Sequence, residues 1–225
     1  MSHGLDTVRR FERGFLARDA EVLADTLADD CVCASIEGPV WAESKASARA
    51  LFERAFSRDG AFEPDDGALS LRAVVTARAP MVDPAASAVA SGLGVYTLRE
   101  GRIARLEIAD GAGDSEASRA IATRQLAAYN TQDLAAHCAC FADTVEVSDL
   151  GGPVTLSGIA MYRARYEAMF AQHPKNHAEL VARLVVGGVV VDHERVRRTP
   201  ESDPFEVLAI YTVRAGVIAR VRFVR

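Results

Sequence analysis

The chain has 225 residues, 49% hydrophobic and 25% charged, with 26 basic against 31 acidic side chains and a net charge of −5. This ordinary globular composition excludes a disordered, collagenous or disulfide-framework protein, and the acidic balance argues against nucleic acid, whose phosphates call for a basic patch. No apolar run reaches the roughly 18 residues that span a bilayer, and the start Met1-Ser2-His3-Gly4-Leu5-Asp6 lacks the basic-then-apolar pattern of a secretory signal, so a cytoplasmic protein without membrane contact is expected.

Leu5, Val8, Phe11, Phe15 and Leu16 recur at helical spacing and predict a first helix. Asp19 follows as an N-cap, an acceptor placed to satisfy the free amides of a second helix through Val22-Leu23. A short strand is expected over Cys31–Ile36, then a third helix, then β-rich runs. Asp110–Glu116 is small and polar and reads as a linker. After it the order repeats. Ile121, Leu126 and Tyr129 mark a helix, Asp133 a cap before Leu134, and Val145–Leu150 a strand. Ile159, Tyr162, Tyr166, Met169 and Phe170 form the apolar face of another helix. Four strands close the chain at Ala178–Val186, Val189–Arg197, Phe205–Arg214 and Val217–Val224, with Gly187-Gly188 and Ala215-Gly216 where hairpin turns need positive φ.

The repetition extends to individual residues. A shift of 114 places Phe15-x-x-x-Asp19 on Tyr129-x-x-x-Asp133 and Gly38-Pro39-Val40 on Gly152-Pro153-Val154. A shift of 115 places Tyr96-Thr97-x-Arg99-x-Gly101-x-Ile103 on Tyr211-Thr212-x-Arg214-x-Gly216-x-Ile218. The chain therefore divides into two copies of one unit, residues 1–110 and 111–225. Helices followed by a β-meander predict α+β, with helices on one face of a curved antiparallel sheet.

Four cysteines form two C-x-C pairs, Cys31/Cys33 and Cys138/Cys140. In the helical pattern around Cys138 two residues i and i+2 point about 200° apart and cannot readily share an ion, so buried small hydrophobes are expected and no metal site. Glycine-rich phosphate loops, H-E-x-x-H and G-x-S-x-G are absent, and no cofactor is expected.

Tyr129-Asn130-x-x-Asp133-Leu134, Phe141-Ala142-Asp143, Val145-x-Val147-x-Asp149 and the ending Ile210-Tyr211-x-Val213-Arg214-x-Gly216-x-Ile218 resemble the nuclear transport factor 2-like superfamily, in its SnoaL-like and ketosteroid isomerase-like branch. The resemblance covers nearly all of 118–225 and, more loosely, 5–108. It implies two tandem cone-shaped α+β barrels, a small apolar ligand between helices and sheet, and dimerisation through sheets, here as an intramolecular pseudo-dimer of the repeats or a homodimer. The isomerase base falls on Asp149 and its oxyanion donors on Gln125 and on or near Ala209, neither of which keeps the donor type. His193, mid-strand between Asp192 and Glu194, is expected to point inward and pair with Asp149, as SnoaL-like cyclases use a histidine and an aspartate around their pocket. Tyr129, Tyr166, Phe170 and Tyr211 are expected around the cavity, with His177 and Glu179 flanking its mouth. The resemblance thus implies a cofactor-free isomerase, cyclase or epoxide hydrolase. The alternatives are a non-catalytic binder or an assembly module. In the first unit Ser35 stands at the Asp149 position, no histidine occurs between Phe11 and Asp110, and Pro80 and Pro84 break the strand pattern beside a shortened hairpin, so that copy reads as degenerate.

Overall fold

A computed structural model describes the backbone of residues 2–36, 38–56, 64–70, 73–83, 88–109, 111 and 113–224, and the side chains of 4–36, 38–56, 93–109, 111 and 113–224. The chain divides into two compact units, Met1–Ala112 and Gly113–Arg225. Unit one contains α1 (Ser2–Leu16), α2 (Ala20–Thr26), β1 (Leu27–Ser35), β2 (Val40–Ala42), α3 (Lys45–Phe56), β3 (Pro64–Ser70), β4 (Ala73–Asp83), β5 (Ala88–Arg99) and β6 (Arg102–Ala109). Unit two contains α4 (Ser115–Thr131), α5 (Leu134–Cys138), β7 (Phe141–Asp149), β8 (Val154–Ser157), α6 (Ile159–Gln172), β9 (His177–Val186), β10 (Val189–Arg197), β11 (Phe205–Arg214) and β12 (Val217–Val224). The two six-stranded sheets have the same order, β2-β1-β6-β5-β4-β3 and β8-β7-β12-β11-β10-β9. Each unit is α+β, with one parallel pair, β1 with β6 and β7 with β12, among antiparallel neighbours.

The helix starts follow from local chemistry. Asp19 accepts from the Glu21 and Val22 amides, Asp133 from the Ala136 amide, and Asp114 from those of Glu116 and Ala117. Each carboxylate fills an amide that the first turn leaves unbonded. The last of these shortens the expected linker, because Ser115 and Glu116 already belong to α4. The β11–β12 turn places Ala215 and Gly216 at φ 49 and 78, the left-handed pair that a two-residue hairpin requires.

The first strand of each unit starts four residues earlier than its expected boundary, because Leu27 and Phe141 are buried and extend the strands backward. In the first unit β4 runs on through Pro80, and its register with β5 shifts between Arg78 and Met81, where the strand accommodates a residue without an amide donor. Pro84 lies outside the described residues. The hairpin is not shortened, since Val74 pairs with Tyr96 in one unit and Val190 with Tyr211 in the other. All four cysteines are buried and free. Among the described residues no helix is long and apolar enough to cross a membrane.

Asn130 docks α4 onto the sheet. Its side-chain amide donates to the Ala178 carbonyl at 2.9 Å and accepts from the Ala178 amide at 2.8 Å, as a neighbouring strand would. The adjacent Tyr129 is thereby fixed over β9 and β10. Arg183 on β9 holds Asp192 on β10 through two bonds of 2.6 Å and reaches the Thr123 hydroxyl on α4 at 2.6 Å.

Candidate active site

Beneath α4 and α6, the inner face of the second sheet carries a cavity of about 140 Å³. Its polar lining comes from Gln125 and Tyr129 on α4, Arg165 and Tyr166 on α6, Glu194 on β10, Tyr211 on β11, and Arg198 just past β10. Leu126, Val196, Val207 and Phe223 supply apolar wall.

Glu194 is the central group. It is 7% exposed, and the Tyr211 hydroxyl donates to its Oε1 at 3.3 Å. Burial, and next the charge of Asp192, push its carboxyl up to about 8, with the Tyr211 bond and the Arg183 charge opposing. Removing a carboxylate from water disfavours its ionised form, so the acid form dominates at neutral pH. Oε2 has no protein partner among the described residues. Asp192 is also pushed up by burial, and the Arg183 fork offsets that. A planar guanidinium matched to both carboxylate oxygens is the strong form of such a pair.

Behind Tyr166 lies a buried stack. His137 is fully buried, and its Nε2 is 3.0 Å from the Tyr162 hydroxyl. Its Nδ1 is 3.4 Å from the Gln125 carbonyl, which only accepts, so Nδ1 carries the proton and Nε2 accepts from Tyr162. Burial pulls the imidazole down to about 4 and keeps it neutral. The same burial pushes the Tyr166 phenol up to about 12. At the mouth, Arg198 Nη1 donates to Asn176 Oδ1 at 2.9 Å, to Met169 Sδ at 3.1 Å and to the Tyr129 hydroxyl at 3.4 Å. Gln125 Oε1 and Asn176 Nδ2 are buried without a partner.

Of the residues expected around the pocket, Gln125, Tyr129, Tyr166 and Tyr211 line it. Phe170 packs against Tyr129 and Tyr166 one layer back, with ring centroids 5.7 and 6.0 Å away. Ala209 is buried in the core under the sheet's inner face. Asp149 and His193 are not brought together at the cavity. Asp149 ends β7 in register with Phe223, exposed, outside the lining. The inward direction expected for His193 belongs instead to its neighbours. Strand alternation allows one face or the other, and β10 turns Asp192, Glu194 and Val196 inward. His193 faces away and meets Glu206 Oε2 at 3.0 Å, holding that carboxyl below its usual range together with Arg195. Glu179 joins this opposite-face cluster at 3.6 Å from Arg195, and His177, opposite Arg197, shares its face. Neither flanks the cavity. Glu194 and Arg198 were not among the expected site residues. The available signal was a carboxylate between Val190 and Val196 on one alternation face. Among the described residues no group of three or more His, Cys, Asp or Glu is placed to hold a metal ion.

Comparison with known families gives two matches to the SnoaL-like domain, over residues 8–106 and 122–221. The chain belongs to the SnoaL-like family. As a tandem SnoaL-like protein it resembles several solved single-unit structures. An uncharacterized cystatin-fold protein from Novosphingobium aromaticivorans is 32% identical over 48% of this chain and 97% of that one, with a TM-score of 0.45. A SnoaL-like protein of unknown function from Burkholderia thailandensis is 19% identical over 49% and 95%, with a TM-score of 0.43. An LEH-like epoxide hydrolase from M. tuberculosis is 19% identical over 48% and 82%, also at 0.43. Comparison with the curated proteins finds no match.

Proposed function

We propose that the second SnoaL-like unit binds a small molecule beneath α4 and α6 and moves a proton to or from one of its oxygens, with Glu194 as the acid. The observation that carries this reading is a buried carboxyl, held as the acid up to about pH 8, in a cavity and hydrogen-bonded by Tyr211. A carboxylic acid kept neutral by an apolar site can donate to a carbonyl oxygen, as the protonated aspartate of ketosteroid isomerase does. A group titrating near neutrality also supplies both forms at the working pH, acid to give the proton and carboxylate to take it back. The chemistry that fits is enolisation of a carbonyl compound, leading to isomerisation or ring closure, or opening of an epoxide. In enolisation Glu194 gives its proton to the carbonyl oxygen while the α-carbon loses one to water at the mouth. Reversal returns both. In epoxide opening the same proton goes to the ring oxygen as its C–O bond breaks, water adds to the carbon, and the added water gives up a proton that restores the acid form of Glu194.

The test is exchange of α-protons for deuterium in a panel of cyclic ketones, followed by proton NMR. The wild-type chain should exchange at least one ketone faster than buffer does. Glu194→Gln, which keeps the shape and removes the transferable proton, should lower that rate by about 100-fold or more. Equal rates in the two proteins, or no exchange above buffer in the wild type, would overturn the reading.

A further inference from the structure

The mouth of the cavity holds positive charge that no described carboxylate answers. Arg183, Arg195 and Arg220 of the same sheet each pair with a carboxylate. Arg165 and Arg198, both in the cavity lining, pair with none among the described residues. Arg198 is also held in place. Nη1 is tied to Asn176, Met169 and Tyr129, and its guanidinium carbon stands 5.2 Å from the centre of the Phe205 ring. Those contacts fix the plane of the group by hydrogen bonding and by attraction to the ring face. Nε and Nη2 meet no protein partner among the described residues, and together they form the edge that receives a carboxylate through two parallel bonds.

The other end of the cavity sets a second requirement. Glu194 in its acid form tolerates a neutral oxygen beside it, whereas a second negative charge there would face both Glu194 and Asp192. Gln125 Oε1, buried in the lining without a partner, needs a donor. The volume sets the third. A 150 Å³ apolar cavity accepts benzene, so about 140 Å³ admits a body of single-ring size.

We infer that the cavity takes a small monoanionic carboxylic acid of single-ring size, its carboxylate on the Nε/Nη2 edge of Arg198 and its neutral oxygen-bearing end toward Glu194 and Gln125. This rests on the Glu194 pocket proposed above, and it adds a charge to the small apolar ligand that the family resemblance implies.

Phenylacetate and phenylacetamide are the probes, nearly equal in shape and different in charge. Their affinities for the full chain are measured by calorimetry, with NMR shifts of the Tyr129 and Phe223 rings to locate binding. At pH 6.5 phenylacetate should bind the wild type about tenfold or more tighter than the amide. Arg198→Gln should abolish that preference, and Arg198→Lys should keep only part of it. In the wild type the preference should shrink as pH rises past 8, a readout that needs no variant. Equal or tighter binding of the amide, a preference that survives Arg198→Gln, or no binding of either probe at the cavity would overturn the inference. An unselective cavity in a protein that still loses α-proton exchange with Glu194→Gln removes the anion and leaves the acid. Selective binding without exchange does the reverse.

Discussion

The two units share a fold and differ in what fills it. At equivalent positions unit one has Phe11, Phe15, Leu23, Ala48 and Phe52 where unit two has Gln125, Tyr129, His137, Tyr162 and Tyr166. In unit one Phe11, Phe15, Phe52, Phe56 and Tyr96 meet edge-to-face or stacked, with centroids 5.3 to 6.5 Å apart. In unit two the same layer carries hydroxyls and an imidazole bonded to one another, and a cavity opens beside them. Strand register extends the contrast. Thr76 and Arg78 pair with Gly94 and Gly92, the positions equivalent to the Ala209 and Val207 partners of Asp192 and Glu194. The strand that brings two acids to unit two thus carries a threonine and an arginine in unit one. Among the described residues one backbone carries a phenyl-lined layer in the first unit and a layer of hydroxyls and imidazole beside a cavity in the second, and a handful of side chains decides which.

The largest expected break in this comparison is at Arg183. Arg183→Met leaves Asp192 buried and unpaired, and should cost about 3–5 kcal/mol in denaturant unfolding. A loss under about 1 kcal/mol would mean that Asp192 carries no charge needing support.

The pH dependence should separate the units next. Between its ordinary 4.5 and about 8 the folded chain holds a proton on Glu194 that the unfolded chain has released. This group therefore makes stability fall as pH rises through that window and adds nothing further above it. His137 acts in the opposite direction between about 4 and its ordinary 6.5, where the unfolded chain takes up a proton that the folded one refuses, so stability falls as pH drops. Glu194→Gln should flatten the fall in melting temperature between His137's ordinary 6.5 and about 8. His137→Leu, the residue unit one has there, should flatten the acid limb. Unchanged limbs would place the titrating groups elsewhere.

The smallest effect sharpens the contrast from the other side. Phe52→Tyr gives unit one the residue of unit two and buries a hydroxyl among phenyl rings. It should cost about 1–3 kcal/mol by chemical denaturation, because no described polar partner waits there; a neutral result would show that this interior already admits water.

The duplication, the caps at Asp19 and Asp133 and the strands of unit two were legible in the sequence because each rests on local pattern. A capping carboxylate needs only the next three residues, and strand alternation only its own strand. The cavity is not local. Valines lie on both alternation faces of β10, Val189 and Val191 on one and Val190 and Val196 on the other, so no apolar bias marks the inward face. What decides it is the cross-strand row of Tyr211 and Val207, known only once the sheet is assembled. The same limit hid Arg198, which reaches the cavity through Asn176 and Tyr129 from outside any strand. In the first unit the sequence spacing points to a shortened hairpin, while the pairing of Val74 with Tyr96 restores its length.

The clamp made by Asn130 has a consequence beyond holding a helix. β9 is the last strand of its sheet, and its outer side offers unused peptide groups to any extended segment that drifts past. At Ala178 both of those groups are already taken by a side-chain amide that imitates a peptide and then stops. A sheet that ends this way cannot be lengthened there by a stray strand, so the residue that seats the tyrosine also guards the protein against templated self-association.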